Sequence, residues 1–314
     1  SPAPMETIVV VDGYDQKSAV AARKFGARVF QCPIRSGPAA ARNLGAKWAK
    51  GEIFFFLDAD VAVHSDAFTR IENAFLSDPA LTAVIGSYDD SPLESNFLSQ
   101  FRNLLHHYVH QNGRDEASTF WGACGAIRRG AFLSLGGFND KTYRAPSIED
   151  IELGYRLKRC GHRIRLVKKL QVKHLKRWNL GKTLKADVLY RAVPWTTLIL
   201  KDGRILNDLN ISLFERTNLV FSYFILLGLA GGIVDLWFIA LSIYSGSALV
   251  WRNRAFYAMI FHLHGLGFFI KGILFHWFYY LYCGIGFFLG LYLFYLGSDG
   301  VSNRSLLKKA LTDE

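Results

Sequence analysis

Short apolar runs alternate with amphipathic segments over the first half of this chain. The runs have the length of buried strands and comprise residues 7–11, 27–31, 53–57, 81–87 and 163–167. The segments between them have apolar residues at helical spacing and comprise residues 17–25, 38–49, 65–76, 92–111 and 151–159. Strands that alternate with helices predict an α/β domain with a mainly parallel sheet and right-handed crossovers.

The strand predicted over residues 53–57 is followed at once by two carboxylates, Asp58 and Asp60. In an open α/β sheet, ligands bind beyond the carboxyl ends of the strands. Two acids beside apolar surface are costly unless a positive charge joins them, and hard oxygen ligands suit Mg²⁺ or Mn²⁺. We therefore expect a divalent cation at this position that carries the phosphates of a nucleotide. The alternative is that the pair only forms a turn after the strand.

Much longer apolar runs follow in the second half of the chain. Residues 218–244 and 272–296 each exceed the roughly 20 residues that cross a bilayer. Residues 252–271 are also apolar and are long enough for a third span, but the charges at both ends favour an interfacial or re-entrant helix. Residues 178–204 are amphipathic, as is typical of a helix in the membrane interface.

These patterns divide the chain into four parts. We predict an α/β domain over residues 1–177, an amphipathic interfacial segment over 178–217, membrane helices over 218–297 and a tail over 298–314. The tail contains Arg304, Lys308 and Lys309, and basic residues beside a span favour the cytoplasmic side. With two spans, the α/β domain is expected on that side too.

The chain is basic, with 37 Lys and Arg against 26 Asp and Glu and a formal net charge of +11. Such a balance indicates an anionic partner. The sequence has no zinc-finger or RNA-binding motif, so acidic lipid and a diphosphate are better candidates than nucleic acid. The dense basic run over residues 159–177 is either a solvated strand or a face for acidic lipid headgroups.

The cysteines and histidines do not have the spacing of a zinc site. The four cysteines are scattered without a C-x-x-C pair, which fits a reducing compartment. His106 and His110 have the i, i+4 spacing of a chelating pair, but no acidic third ligand lies nearby in sequence. We interpret them, together with His107, as a solvated helix face.

Two further short segments carry candidate binding chemistry. Trp121 and Gly122 open a run of small residues, which predicts a backbone that a ligand approaches closely. The alternative for Trp121 is a core position. Glu149 and Asp150 precede the helix predicted over residues 151–159, and the positive end of that helix favours an ionised Asp150. The alternative role of Asp150 is a helix N-cap.

An ordered set of motifs between residues 6 and 172 resembles the family 2 glycosyltransferases. The matching segments are ARNLGA at 41–46, GEI at 51–53, FLDAD at 56–60, GGF at 136–138 and EDIELGYRL at 149–157. The resemblance implies a GT-A fold, in which one Rossmann-like domain binds a nucleotide-diphosphate sugar and a divalent metal, Mg²⁺ or Mn²⁺. It also implies sugar transfer with inversion at the anomeric carbon.

The resemblance assigns a donor site to four residues. Asp58 and Asp60 match the D-x-D pair that positions the metal and the diphosphate. Asp12 matches an acid that contacts the nucleobase, although Val11 stands where the family often has a second acid. Arg42 lies where members of the family approach the nucleotide.

The resemblance also implies roles on the acceptor side. Asp150 matches the second acid of an E-D pair and is the expected general base, and Glu149 is expected to support it or to touch the acceptor. Trp121 and Gly122 are predicted to line the acceptor site. Residues 177–178 match the Q-x-x-R-W motif of processive synthases only loosely, which argues against processive synthesis.

The family's first strand and its nucleotide-binding loop have no counterpart in this sequence. We expect the chain to begin after them. Such a chain would lack part of the base pocket, which leaves an inactive, sugar-nucleotide-binding membrane protein as an alternative.

The sequence thus predicts a metal-dependent, inverting glycosyltransferase at the inner membrane, with its catalytic domain in the cytoplasm. The expected partners are a nucleotide-diphosphate sugar, a lipid-linked or glycan acceptor and membrane lipid, with no nucleic acid. A polyprenyl-phosphate glycosyltransferase is the alternative among the enzymes. In that case Asp150 orients a phosphate instead of removing a proton from a hydroxyl.

Overall fold

The computed structural model describes residues 3–296, which form two compact units. The first unit ends at Trp178 and the second begins at Asn179. Among the described residues, every strand lies in the first unit, and the second consists of helices and their connections. The tail predicted over residues 298–314, with its three basic residues, lies outside the described residues.

The first unit contains the predicted alternation of strands and helices. Its strands are β1 (Ile8–Asp12), β2 (Arg28–Cys32), β3 (Ile53–Leu57), β4 (Val61–Val63), β5 (Leu81–Tyr88), β6 (Glu116–Ala117), β7 (Cys124–Arg128) and β8 (Arg163–His174). Its helices are α1 (Gln16–Lys24), α2 (Pro38–Trp48), α3 (Ala67–Ser77), α4 (Phe97–Asn112), α5 (Arg129–Ser134) and α6 (Glu149–Arg159). β8 continues past its predicted end at residue 167 because its buried positions continue through Leu170, Val172 and His174.

The strands form two sheets. β1 and β2 pair in parallel, and the larger sheet has the order β3-β7-β5-β8-β4, with β6 also paired to β8. In the larger sheet β5 and β8 are parallel, whereas β3–β7, β5–β7, β4–β8 and β6–β8 are antiparallel. The α/β class is therefore confirmed, but a mainly parallel sheet is wrong for this domain. The reason is that residues 113–123 return the chain to the carboxyl end of β5. β7 starts there and therefore runs antiparallel to β5.

The apolar run of β3 is buried on both faces of the sheet. Ile53 and Phe55 pack with α3 on one face, against a cluster that includes Val84, Leu170 and Val172. Phe54 and Phe56 point to the opposite face and join Phe120, Phe132 and Phe138, with ring centroids 5.1 to 6.3 Å apart. This aromatic cluster lies directly behind the end of β3 and gives the two acids that follow it a rigid base.

Two local predictions are wrong. α3 begins at Ala67 with Asp66 as its N-cap residue, instead of starting at residue 65. The histidines of α4 do not form a solvated face, because His107 and His110 contact the backbone of β5 and the ring of His106 stacks on that of His110. His110 is buried and its Nδ1 lies 2.9 Å from the carbonyl oxygen of Gly86, while His107 Nδ1 lies 2.8 Å from that of Tyr88.

The second unit is helical. It consists of α7 (Leu180–Leu184), a π-helix (Lys185–Ala192), α8 (Val193–Asp202), a 3₁₀ turn (Leu209–Ile211), α9 (Leu213–Gly231), α10 (Trp237–Arg252) and α11 (Arg254–Leu296). α9 and α11 are long and apolar enough to cross a membrane. α11 is interrupted at Gly265, whose φ of 78° separates two helical pieces. Residues 252–271, predicted as a separate interfacial helix, belong mostly to α11.

A single helix over residues 218–244 is wrong, because the chain leaves the helix after Gly231 and re-enters one at Trp237. α9 and α10 therefore form a helical hairpin. A side chain at Gly228 would collide with Ser242, and one at Gly231 with Phe238. The glycines thus allow the close helix packing of the hairpin.

Candidate active site

The candidate site lies at the edge of the larger sheet where β3 ends and β7 begins. Antiparallel pairing sets Leu57 opposite Cys124, and the amide of Asp58 donates to the carbonyl oxygen of Ala123 at 3.4 Å. This register sets Asp58 opposite Ala123, the residue that follows Gly122, although the two segments are far apart in sequence. The strand pairing therefore joins a predicted donor residue to the segment that contains a predicted acceptor residue.

Arg42, on α2, binds two acids from different parts of the chain. Its Nη2 donates to Asp58 Oδ1 at 2.5 Å and its Nη1 to Glu149 Oε1 at 2.8 Å. The guanidinium carbon lies 5.4 Å from the centre of the Phe138 ring, which packs in the aromatic cluster behind β3. Burial opposes the charged form, but Asp58 and Glu149 outweigh it and raise the pKa of Arg42. The residue is therefore a fixed positive charge at the centre of the site.

Asp150 lies in the first turn of α6 and is held by two backbone amides. Its Oδ2 accepts from the N–H of Gly122 at 2.9 Å, and its Oδ1 accepts from the N–H of Ile151 at 2.8 Å. Burial, and next the Glu149 carboxylate, raise the pKa of Asp150 to about 6. The N-cap residue of α6 is Ile148, so the alternative that Asp150 is the N-cap is wrong.

Glu149 is almost fully buried beside Asp150. Its side chain accepts from Arg42 and from the backbone N–H of Ser147 at 3.0 Å. A buried carboxylate is stable only when it is paired and hydrogen-bonded, and both conditions hold for Glu149. Glu149 thus anchors Arg42 and places a second negative charge next to Asp150.

Asp60 lies beyond the end of β3, where β4 pairs with the last residues of β8. Val61 is opposite His174, and the carbonyl oxygen of Asp60 accepts from the N–H of Leu175 at 2.8 Å. Its carboxylate lies 3.2 Å from Lys176 Nζ. His174 is buried, and burial lowers its pKa to about 4, so the imidazole is neutral near pH 7.

Asp58 and Asp60 have the chemistry of a partial site for a hard divalent cation. Their side chains are 35% and 34% exposed, so both carboxylates remain accessible from solvent. Within residues 3–296, no group of three or more His, Cys, Asp or Glu side chains is placed to hold a metal ion. Two carboxylates fit an ion such as Mg²⁺, which is commonly held by one or two carboxylates together with phosphate and water.

Trp121, predicted to line the acceptor site, is partly exposed and stands among other rings. Its ring centroid lies 4.9 Å from that of Tyr88 and 4.7 Å from that of His106. Tyr88 in turn stacks on His174 at 4.3 Å. Gly122, the other predicted acceptor residue, is buried, and a Cβ on it would lie 3.0 Å from the guanidinium carbon of Arg42.

Asp12, the predicted nucleobase contact, lies at the end of β1 in the smaller sheet. Its carboxylate accepts from the N–H groups of Ser36 and Gly37, at 2.7 and 2.9 Å. These contacts fix the turn that leads into α2, the helix that carries Arg42. The structure therefore brings together Arg42, Asp58, Glu149, Asp150 and Gly122, while Asp12 binds a separate turn.

Sequence reasoning missed three residues of this edge, namely Tyr88, His174 and Lys176. Tyr88 ends β5, and the other two lie at or just after the end of β8. A partial signal is the alternation of Leu170, Val172 and His174 with polar residues, which resumes after the interruption at Lys168 and Lys169. It predicts a longer strand, but its position beside Asp60 requires the tertiary fold.

Comparisons with known proteins show which family and fold this chain is similar to. Residues 1–136 match the family model described as glycosyl transferase family 2. A protein of Haemophilus influenzae described as an uncharacterized glycosyltransferase is 32% identical over 97 residues, covering 29% of this chain and 38% of that protein. The matched region is thus well under half of that relative's length.

Two solved structures are similar to this chain. A mannosyltransferase from Pyrobaculum calidifontis, in complex with GDP-Man and Mn²⁺, has a TM-score of 0.50 at 18% identity, covering 90% of this chain and 77% of that one. GalNAc-T7 with UDP, GalNAc and Mn²⁺ has a TM-score of 0.42 at 18% identity, covering 55% of this chain and 38% of that one. The family match and the Pyrobaculum structure confirm the predicted GT-A fold.

Proposed function

We propose that this chain, whose residues 1–136 match the family model of glycosyl transferase family 2, transfers a sugar from a nucleotide-diphosphate donor to a membrane-associated or lipid-linked acceptor, with inversion. The observation that carries this proposal is the contact of one buried cation, Arg42, with both Asp58 and Glu149. An inverting transfer needs the leaving diphosphate and the attacking acceptor on opposite faces of one sugar. The Arg42 contacts join Asp58, a proposed donor residue, to Glu149 of the acid pair that begins α6.

On the donor side, Asp58 and Asp60 are the residues that would hold Mg²⁺ or Mn²⁺. When bound, such a cation stabilises the negative charge that grows on the leaving diphosphate. The Pyrobaculum mannosyltransferase was solved with Mn²⁺ and GDP-Man, which supports a cation and a donor of this class for the present chain. Asp12 is proposed to contact the nucleobase from the end of β1.

On the acceptor side, Asp150 is the proposed general base. The attacking hydroxyl gives its proton to an Asp150 oxygen as its own oxygen bonds to the anomeric carbon and the bond to the diphosphate breaks. A base works best when its pKa is near the working pH, and the pKa of Asp150 is raised to about 6. The N–H groups of Gly122 and Ile151 orient the carboxylate for this step.

Arg42 and Glu149 support both sides of the reaction. Arg42 is a fixed positive charge beside Asp58, where it would favour a diphosphate that gains negative charge in the transition state. Glu149 holds Arg42 in place and helps to raise the pKa of Asp150. The partly exposed rings of Trp121 and Tyr88 are proposed to receive the acceptor next to Gly122.

The helical unit is proposed to attach the enzyme to the inner membrane, with the catalytic domain on the cytoplasmic side. α9 and α11 are long and apolar enough to cross. Large apolar side chains on them are exposed, such as Leu227 at 59%, Ile285 at 58% and Phe288 at 57%. Such surface is normally covered, and membrane lipid suits apolar helices of this length. Attachment would bring the site to acceptors at the membrane.

A screen of nucleotide sugars tests the proposal. Thermal stabilisation and donor hydrolysis are measured for UDP- and GDP-sugars with Mn²⁺, Mg²⁺ or EDTA. The proposal expects at least one donor to stabilise the protein and to be hydrolysed only with a divalent cation. Stabilisation without any hydrolysis would favour a sugar-nucleotide-binding protein, and no response to any donor would contradict the proposal.

A further inference from the structure

Asp58 and Asp60 each form an ion pair with a basic side chain, but the two basic side chains differ in burial and in the number of acids that they bind. Arg42 is 13% exposed and binds two acids, Asp58 and Glu149. Lys176 is 44% exposed and lies 3.2 Å from one carboxylate oxygen of Asp60. An exposed ion pair of this kind is weak. Lys176 is therefore the cation that can leave its carboxylate.

The backbone around Lys176 is fixed next to Asp60. The N–H of Leu175 donates to the carbonyl oxygen of Asp60 at 2.8 Å, directly before Lys176 in the chain. Trp178, two residues later, is held through its N–H to Ser99 Oγ and through its carbonyl oxygen to Asn96 Nδ2, each at 2.8 Å. Only the side chain of Lys176 therefore has to move for the ion pair to open.

A second feature keeps the lysine side chain close after it leaves Asp60. Its Nζ lies 4.9 Å from the ring centre of Trp178, and the guanidinium carbon of Arg102 lies 4.2 Å from the same ring. Cations over a tryptophan face are stabilised by the ring. Two positive charges thus lie over the Trp178 ring, and a diphosphate is the kind of anion that they attract.

We propose that Lys176 is an exchangeable counter-ion that couples divalent-cation binding to diphosphate binding. This inference rests on the nucleotide-diphosphate donor proposed above. In the ligand-free protein Lys176 neutralises Asp60 and opposes a divalent cation that arrives alone. When the cation arrives with a diphosphate, Lys176 turns from Asp60 to the diphosphate, so both ligands bind better together than apart.

The test measures binding, not turnover, in the full chain. Mn²⁺ alone, UDP or GDP alone, and each nucleotide with Mn²⁺ are titrated into the wild type, Lys176→Met and Arg177→Met. Arg177 is the matched control, because it is the adjacent basic residue, is 74% exposed and lies 3.8 Å from Glu94 instead of Asp60. The coupling is the ratio of the Mn²⁺ dissociation constants without and with nucleotide.

For Lys176→Met we expect Mn²⁺ alone to bind about two- to fivefold more tightly, because Asp60 is released from its ion pair. The nucleotide with Mn²⁺ should bind about tenfold more weakly, because a charged contact to phosphate is lost. Binding of the nucleotide alone should be unchanged, because Lys176 stays on Asp60 until the cation arrives, so the coupling falls by about tenfold in Lys176→Met and is unchanged in Arg177→Met. Lys176→Arg, which keeps the charge, should retain most of the coupling.

Opposite results separate this inference from the function on which it rests. If the wild type binds a nucleotide with Mn²⁺ and Lys176→Met keeps the same coupling, the role of Lys176 is overturned and the proposed function stands. Equal weakening of all ligands in Lys176→Met and Lys176→Arg would show a structural role and would also overturn it. A wild type that binds no nucleotide with Mn²⁺ overturns the proposed function, and this inference with it.

Discussion

Arg42 Nη2 lies 2.5 Å from Asp58 Oδ1, so a side chain from α2 neutralises the first acid after β3. The other terminal nitrogen of the same guanidinium binds Glu149 at 2.8 Å. The acid after β3 and the acid pair that begins α6 are thereby joined through one buried charge. Substitution of Arg42, Asp58 or Glu149 should therefore change the contacts of the other two, and this can be tested by mutagenesis.

The first prediction concerns removal of the shared charge. Arg42→Gln leaves Glu149 buried without its cation, and breaking a buried ion pair costs about 3 kcal/mol. We expect a loss of that order in the free energy of unfolding, measured with urea, and a loss of about 100-fold or more in kcat/KM.

Two variants control this experiment. Arg70→Gln breaks the Arg70–Asp66 pair on α3, whose side chains are 33% and 48% exposed, and should cost less than about 0.5 kcal/mol. Arg42→Gln combined with Glu149→Gln should recover much of the stability but not the activity. If Arg42→Gln alone were as stable as Arg70→Gln, the buried contact of Arg42 with Glu149 would not stabilise the fold in the way that we infer.

The second prediction uses the space next to Arg42. A Cβ at Gly122 would lie 3.0 Å from the guanidinium carbon of Arg42, whereas one at Gly130 meets nothing within 4 Å. We expect Gly122→Ala to lower kcat/KM by about tenfold or more, because Arg42 must shift from Asp58 and Glu149. Gly130→Ala should have wild-type activity. Equal activity of the two variants would argue against a fixed position for Arg42.

The third prediction is a pH dependence set by Asp150. The pKa of Asp150 is raised to about 6 by burial and then by Glu149, and only the carboxylate form accepts a proton. The ionised fraction therefore rises with pH through about 6, and kcat/KM should fall about tenfold per pH unit below it.

A substitution of Glu149 tests whether its charge contributes to the raised pKa of Asp150. Glu149→Gln removes a negative charge that raises the pKa of Asp150, so the acidic limb should move to lower pH. Rates are measured from about pH 4.5 to about pH 8 on both proteins, a range that brackets the raised pKa. An acidic limb that stays in place in Glu149→Gln would mean that another group controls it.

How far the sequence predicts this architecture depends on the element. The periods of apolar residues predict β1, β2, β3, β5 and the first half of β8, because burial on one or both faces sets those periods. They do not predict β4, β6 or β7, which are two to five residues long, and periodicity does not give the direction in which a strand runs. The antiparallel entry of β7, which sets Ala123 opposite Asp58, depends on the path of residues 113–123 and is not encoded in any local pattern.

In the candidate site too, some features follow from the sequence and others require the tertiary fold. Asp58, Asp60, Glu149 and Asp150 follow from motifs, but the contact of Arg42 with Glu149 joins residues 107 positions apart and requires the tertiary fold. Lys176 was missed because Lys168 and Lys169 interrupt the apolar alternation of β8. The strand continues past them through a register shift between Ile85 and Ser87 on its partner, and such a bulge has no clear sequence signal.

The fourth prediction distinguishes the metal-binding role of Asp58 and Asp60 from the general-base role of Asp150. Asp58→Asn and Asp60→Asn should each weaken Mn²⁺-dependent nucleotide binding by about tenfold or more, measured by calorimetry, because each removes a charged oxygen ligand. Binding of the nucleotide in EDTA should change much less. Unchanged binding in Mn²⁺ would remove the metal role from these residues.

The fifth prediction concerns the helical unit. Ile285 on α11 is 58% exposed, and an aspartate near the middle of a span costs about 3 kcal/mol. We expect Ile285→Asp to lower the fraction of protein that floats with liposomes in a density gradient. Leu76→Asp, at a residue that is 72% exposed on α3 of the first unit, is the control and should float like the wild type. Equal flotation of all three would argue against insertion of α11.

The central claim is that Asp150 acts on the acceptor while the residues around Asp58 bind the donor. It is tested most directly by Asp150→Asn, which keeps the shape of the side chain and removes its basicity. Transfer and Mn²⁺-dependent nucleotide-sugar binding are measured on the same protein preparation. We predict that transfer falls by about 100- to 10,000-fold while the dissociation constant of the donor changes less than about threefold. Transfer that persists, or donor binding that is lost together with transfer, would contradict the claim.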